Sequence, residues 1–109
     1  MDTIEDTERA AAFERALLDA YERWKAIGYH ATRFRQMLGR HGGVETTRRL
    51  LRIRGISPGF ERLRDARKLT DTVEFILLGP DFAALFTVEE RDLARRRLLD
   101  HGLRARQLP

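Results

Sequence analysis

Between Phe13 and Ile27 the apolar residues Phe13, Leu17, Ala20, Tyr21, Trp24 and Ile27 recur at spacings of three and four. That is the signature of one buried stripe on an α-helix, because a strand would need alternation of period two. No such alternation is sustained anywhere along the chain, and no internal repeat recurs at a fixed spacing. A chain patterned in this way builds its core by packing helix on helix.

Helix punctuation divides the remainder. Thr3 with Asp6 has the form of a variant N-cap, and Gly28 is placed to end the first helix. Thr32 is expected to cap a second helix, with Phe34, Met37, Leu38 and His41 inward, Arg33, Gln36 and Arg40 on the opposite face, and Gly42-Gly43 as its stop. A third, from about Val44, turns Leu50, Leu51 and Ile53 inward and Arg48, Arg49 and Arg52 outward. Ser57-Pro58 reads as an N-cap followed by proline in the first turn of a fourth helix, which buries Phe60 and Leu63. Thr70 or Asp71 opens a fifth, carrying Val73, Ile76 and Leu77, closed by Gly79-Pro80. After a turn through Phe82, Leu85 and Phe86, Thr87-Val88-Glu89-Glu90 forms a capping box. The last helix turns Leu93, Ala94, Leu98 and Leu99 inward as far as Gly102. The expected fold is therefore all-α, a compact bundle of five or six short helices over residues 1–102, with a short basic tail, 103–109, that frays.

Composition bounds the function. The 109 residues include no Cys, which excludes disulfides, thiol catalysis and cysteine-bound metal and fits a cytoplasmic protein. Fully apolar runs are short, four residues at Phe75-Ile76-Leu77-Leu78 and five at Phe82-Ala83-Ala84-Leu85-Phe86, far short of a membrane span. The acidic start, Met1 to Asp6, does not resemble a signal peptide. The net charge of +4 hides a strong asymmetry. Residues 1–22 balance to −5, residues 23–68 to +10 and residues 69–109 to −1. The basic centre is the electrostatic feature of the chain, and such a patch attracts nucleic acid phosphates or an acidic protein surface. Arginine dominates it, which suits bidentate phosphate contact, although a GC-rich genome gives the same preference for Arg over Lys and weighs at least as heavily.

Motifs for catalysis fail on inspection. Gly55-Ile56-Ser57-Pro58-Gly59 matches the G-x-S-x-G pattern of the hydrolase nucleophile elbow. That elbow needs a preceding strand and an N–H on the residue after the serine. Here the preceding segment is helical and Pro58 has no N–H, so a helix cap is the better reading of Ser57. His30, His41 and His101 show no metal-ligand spacing. His41 and His101 instead suit helix C-termini, where a protonated imidazole favours the dipole. Glu89 and Glu90 are adjacent and diverge on a helix, and no phosphate-binding glycine loop is present. No catalytic residue, metal or cofactor is assigned, and the chain is not expected to be an enzyme. Among the aromatic residues Tyr29 is the best candidate for an exposed ring beside the basic block; stacking on a base is its sharper reading, and packing over the inter-helix turn is the plainer and preferred one.

The series Trp24-Lys25-Ala26-Ile27-Gly28-Tyr29, Thr32-Arg33-Phe34, His41-Gly42-Gly43-Val44-Glu45, Leu85-Phe86-Thr87 with Glu89-Glu90, and Ala94-Arg95 resembles a small all-helical bacterial family of uncharacterised function. The resemblance spans roughly residues 20–102. It implies a compact α domain and an association with DNA-processing or defence systems, since similar segments occur beside nuclease or helicase domains. It implies no catalytic residues. The family pattern often has Pro where this chain has Ala31, and Leu or Trp at Arg35 and Arg64, so the basic face here is stronger than the family's.

The expected function is accordingly a non-enzymatic accessory module that contacts nucleic acid backbone, DNA or RNA, within a bacterial assembly. Arg33, Arg40, Arg48, Arg49, Arg52, Arg54, Arg62, Arg67 and Lys68 are the candidate phosphate contacts, which position a protein without reading sequence. The plainer reading of each is a solvated helix face with local ion pairs; the block as a whole carries the argument. The alternative is a protein–protein adaptor or inhibitor whose arginines grip an acidic partner. No membrane partner is expected.

Overall fold

A computed structural model describes residues 4–109. Five α-helices follow one another: α1 (Ile4–Ala26), α2 (Thr32–Leu51), α3 (Pro58–Asp65), α4 (Val73–Leu77) and α5 (Val88–Asp100). Single 3-10 turns lie at Leu69–Asp71, Ala83–Leu85 and Ala105–Gln107, and no strand occurs among the described residues.

The stripe of α1 behaves as its spacing requires: Phe13, Leu17, Ala20 and Trp24 are buried. Gly28, at φ +83°, ends the helix. The Tyr29 N–H donates to the Trp24 carbonyl and the Gly28 N–H to that of Lys25, each at 2.9 Å, the paired bonds of a Schellman stop. The chain then reverses into α2. Trp24 meets Phe34 with ring centroids 5.0 Å apart, whereas Glu14 meets Gly43; residue numbers rising in one helix and falling in the other make the pair antiparallel.

Gly42 interrupts α2 with φ +77° and ψ 172°, so residues 32–51 form two helical arms across a kink. The expected stop at Gly42-Gly43 is real, but the helix resumes at once. Gly43 permits a close approach of α2 to the backbone of α1, since a Cβ there would lie 3.1 Å from the Glu14 Cα. Its N–H donates to the Glu14 carboxylate at 2.9 Å, which satisfies a donor that the kink removes from the ladder.

Two predicted caps are present. The Ser57 hydroxyl accepts from the Phe60 N–H at 3.1 Å, which fixes Ser57 as the start of α3. Thr87 and Glu90 exchange both bonds of a capping box, at 2.8 and 3.1 Å. Phe13 receives the edges of Phe82 and Phe86, centroids 5.2 and 5.1 Å away, which seats the turn before α5 on α1.

Several expectations are corrected. Thr32 is the first helical residue, and Ala31, without a polar side chain, occupies the cap position. The opener of α4 is Thr72, whose hydroxyl accepts from the Phe75 N–H, because Leu69–Asp71 turns as a 3-10 segment first. Ile53, Leu93 and Leu99 are exposed: α2 ends at Leu51, and α5 turns its Ala94–Leu98 stripe to the core. The segment 103–109 does not fray. Leu103 is buried and Leu108 packs on the core, held by the Schellman bond from the Leu103 N–H to the Leu98 carbonyl at 2.9 Å. The proposed cap at Thr3 lies outside the described residues.

Candidate functional site

The first arm of α2 forms one wall of a cleft of about 530 Å³ that runs between α1, α3 and α4. Its floor is aromatic and aliphatic, built from Trp24, Phe34, Phe60, Leu63 and Val73, all buried. Its rim is cationic: Arg33 and Arg40 lie along α2, and Arg49 stands on the second arm beyond the kink. Arg33 and Arg40 are seven residues apart, so they share one helix face about 10 Å apart along its axis. Both are exposed, and no carboxylate among the described residues lies within ion-pairing distance of either.

Tyr29 closes the cleft at the α1–α2 turn. Its ring lies 5.7 Å from that of Trp24 and is tilted 34° to it. The Tyr29 hydroxyl rests on Gly59, where a Cβ would come within 2.6 Å of it; glycine is required there for close approach and not for an unusual φ. Burial raises the Tyr29 phenol above its ordinary value, offset in part by the Arg62 charge. The ring is thus half-buried in the cleft wall, with one flank packed and another facing the cavity.

At the floor lies one buried acid. Glu74 and Arg97 are paired at 3.3 Å with side chains only 5% and 8% exposed. Burial raises the Glu74 carboxyl above its ordinary range, outweighing its own backbone N–H, the Arg97 guanidinium and His101. Arg97 also donates to the Leu50 carbonyl at 3.1 Å, to Leu51 at 2.9 Å and to Ile53. It therefore terminates α2 from a distance, satisfying carbonyls that a helix C-terminus leaves without partners. Neither residue was a sequence candidate. The signal for both was positional: Arg97 sits on the stripe of Ala94 and Leu98, and Glu74 on that of Val73 and Leu77, where a charge implies a buried partner.

The nine predicted cations divide. Arg33, Arg40 and Arg49 line the cleft. Arg62 stands near its Tyr29 end, with the guanidinium 3.5 Å from the Ile27 carbonyl. Arg54 lines a second hollow of about 310 Å³ with Leu93, Arg96 and Asp100. Arg49 and Arg52 share Glu45 at 3.6 and 3.5 Å. Arg67 and Lys68 follow α3, both exposed, and Arg67 adopts φ +60° at the helix stop. Arg48 departs from the outward placement: it pairs with Glu90 at 2.9 Å, donates to the Leu85 carbonyl at 3.1 Å and stands over the Phe86 ring. Its donors tie α2 to α5, which removes it from the free basic face.

His41 lies half-buried at the cleft, before the kink, and His30 is exposed in the α1–α2 turn. His101 caps α5, with Nδ1 2.7 Å from the Arg97 carbonyl oxygen. Among the described residues no group of three or more His, Asp or Glu is gathered as a metal site would need, and no helix is long and apolar enough to cross a membrane. Comparison of the chain with family models, with curated proteins and with solved structures finds no match.

Proposed function

We propose that the protein is a non-enzymatic accessory module that holds nucleic acid backbone against the arginine-bearing side of α2. The observation that carries this reading is the pair Arg33 and Arg40, exposed on one helix face without a carboxylate partner at the mouth of an aromatic-floored cleft. Arginine's planar fork suits phosphate oxygens, and an unpaired guanidinium gives up no existing ion pair on binding. The bacterial DNA-processing or defence setting implied by the family resemblance belongs to this proposal.

The test is a salt titration. Affinity for a duplex should fall with salt on a log–log plot by about −0.9 per phosphate neutralised, and by about −0.7 for a single strand. Replacing Arg33 and Arg40 together by Gln should remove up to two of those contacts and flatten the slope accordingly. Binding that is absent at low ionic strength, or whose slope is unchanged in the double variant, refutes the reading.

A protein adaptor is favoured by a separate observation. Ile53, Leu93 and Leu99 are exposed, and Ile53 and Leu93 border the smaller hollow beside Arg54 and Arg96. Apolar residues rimmed by charge suit a protein partner with acidic groups. A partner retained on the protein after nuclease digestion, and lost on Leu93→Lys, supports that reading over the first.

A further inference from the structure

Phosphate contact alone does not need a cleft. A cationic helix face binds backbone equally well on a flat surface, yet Arg33, Arg40 and Arg49 stand around a depression of about 530 Å³. Pockets of roughly 300–1,000 Å³ hold compact organic ligands, and this one has two further chemical requirements. Tyr29, the half-buried ring of its lining, stands beside the buried rings of Trp24, Phe34 and Phe60, a setting that favours a flat, polarisable occupant. Its floor carries Glu74, a buried acid that accepts from Arg97 at 3.3 Å. An occupant without N–H groups would offer that carboxyl no donor besides Arg97, and a buried polar group is costly to leave short of partners. A fatty anion or a plain aromatic acid fails on this count. A nucleobase satisfies all three demands: it is flat, it bears N–H donors on its edge, and it comes joined to phosphate.

Resting on the phosphate reading above, we propose that the cleft receives one unstacked base of a single-stranded nucleic acid. The flanking phosphates lie on Arg33 and Arg40, the two rim cations without a carboxylate partner among the described residues. Tyr29 supplies the stacking face at the open end, because its ring is the half-buried member of the aromatic set while Trp24 and Phe60 are fully packed. The helix break at Gly42 sets the geometry: it turns the second arm of α2 so that Arg49 stands at the cleft with Arg33 and Arg40 of the first. A continuous duplex keeps its bases stacked and meets only the rim.

Trp24 is the single tryptophan of the chain and lines the cleft, so its fluorescence reports occupancy directly. The experiment titrates the full chain at low ionic strength with four probes: a mixed-sequence single strand of twelve nucleotides, an abasic strand of the same length and charge, the corresponding blunt duplex, and free nucleoside monophosphates. The expected result is quenching of Trp24 by the base-bearing strand and affinity about tenfold above the abasic strand, the scale of one base-stacking contact. Tyr29→Leu, checked for an unchanged thermal melt, should erase that tenfold difference while leaving abasic binding alone. Equal affinity for the abasic strand, or for the duplex with no change at Trp24, overturns base insertion and leaves phosphate contact standing. Equal quenching by free monophosphates overturns the strand as occupant in favour of a nucleotide. Absence of binding to every probe overturns both this proposal and the function on which it rests.

Discussion

Replacing Arg97 by Met should be among the most damaging single changes available to this fold. The guanidinium holds the C-terminal carbonyls of α2 through Leu50 at 3.1 Å and Leu51 at 2.9 Å, and it neutralises Glu74 at 3.3 Å. Methionine preserves most of the buried volume, so the loss is polar and not a cavity. Removing one partner of a buried pair costs about 3–5 kcal/mol, because the other charge stays buried and uncompensated. Against a typical domain stability of about 5–15 kcal/mol, that is a large share. At about 4–8 °C per kcal/mol for a domain of this size, thermal unfolding followed by circular dichroism should drop by at least roughly 12 °C. Glu74→Gln is the informative companion. The amide keeps an acceptor for Arg97 and removes the buried carboxyl, but it leaves the guanidinium charge held only by the α2 carbonyls, so it too should destabilise, by less than Arg97→Met. Adding Glu74→Gln to Arg97→Met should then recover about 1 kcal/mol or more, a coupling normal for residues in contact. A fall of only a few degrees for Arg97→Met, or no recovery in the double variant, would refute the assignment of Arg97 as compensator of a buried acid.

Two further perturbations probe the polar interior and the acid limb. The hydroxyls of Thr46 and Thr47 are buried without a hydrogen-bond partner among the described residues, so Thr47→Val, which keeps the shape, should raise stability by about 1 kcal/mol in urea unfolding; a loss of similar size would mean that the hydroxyl is satisfied in solution. Partial burial tends to raise the Glu90 carboxyl, but the Thr87 N–H and the Arg48 guanidinium outweigh it and hold it below its ordinary value. A depressed folded value means that its contribution is present above the unfolded carboxylate range, near pH 4.3, and is lost as pH falls through the folded value. Arg48→Met should therefore move the acid unfolding limb to higher pH, and an unshifted limb contradicts the pairing.

The helices were legible because each is marked by signals that act locally. The α1 stripe, the Gly28 and Gly102 stops, the Ser57 cap and the Thr87–Glu90 box need no knowledge of the distant chain, and each stands where its residues place it. The failures share the opposite cause. Ile53 lies three residues after Leu50 and Leu99 directly after Leu98, but the direction in which a helix faces is decided by what it packs against, and α5 satisfies the core with Ala94 and Leu98. Leu103 is buried and Leu108 packs on the core, so the basic composition of residues 103–109 misrepresented how they pack. The cleft itself was invisible for the same reason. It joins Trp24, Arg33, Phe60 and Glu74, residues that no spacing rule connects.

Charge partition was informative about sign and poor about availability. Within the basic block 23–68, Arg23, Lys25, Arg48, Arg49, Arg52 and Arg64 each face a carboxylate within 4.0 Å. Three of the acids concerned, Glu22, Asp71 and Glu90, come from outside that block, so folding carries negative charge into it and reduces its effective field. Exposed pairs of this kind contribute about 0–1 kcal/mol to stability, yet they occupy the guanidinium donors that a phosphate would need. The capacity of a basic sequence to bind an anion is therefore set by the cations that folding leaves over. Arg33 and Arg40 stand out among those because they are left over together, on one helix face, at the mouth of a cleft. Arg48, equally prominent in sequence, and Arg97, which was no candidate there, are engaged in holding α2 to α5 and its C-terminus in place. The same residue type thus serves as scaffold and as site, and the difference lies in whether its donors already have acceptors.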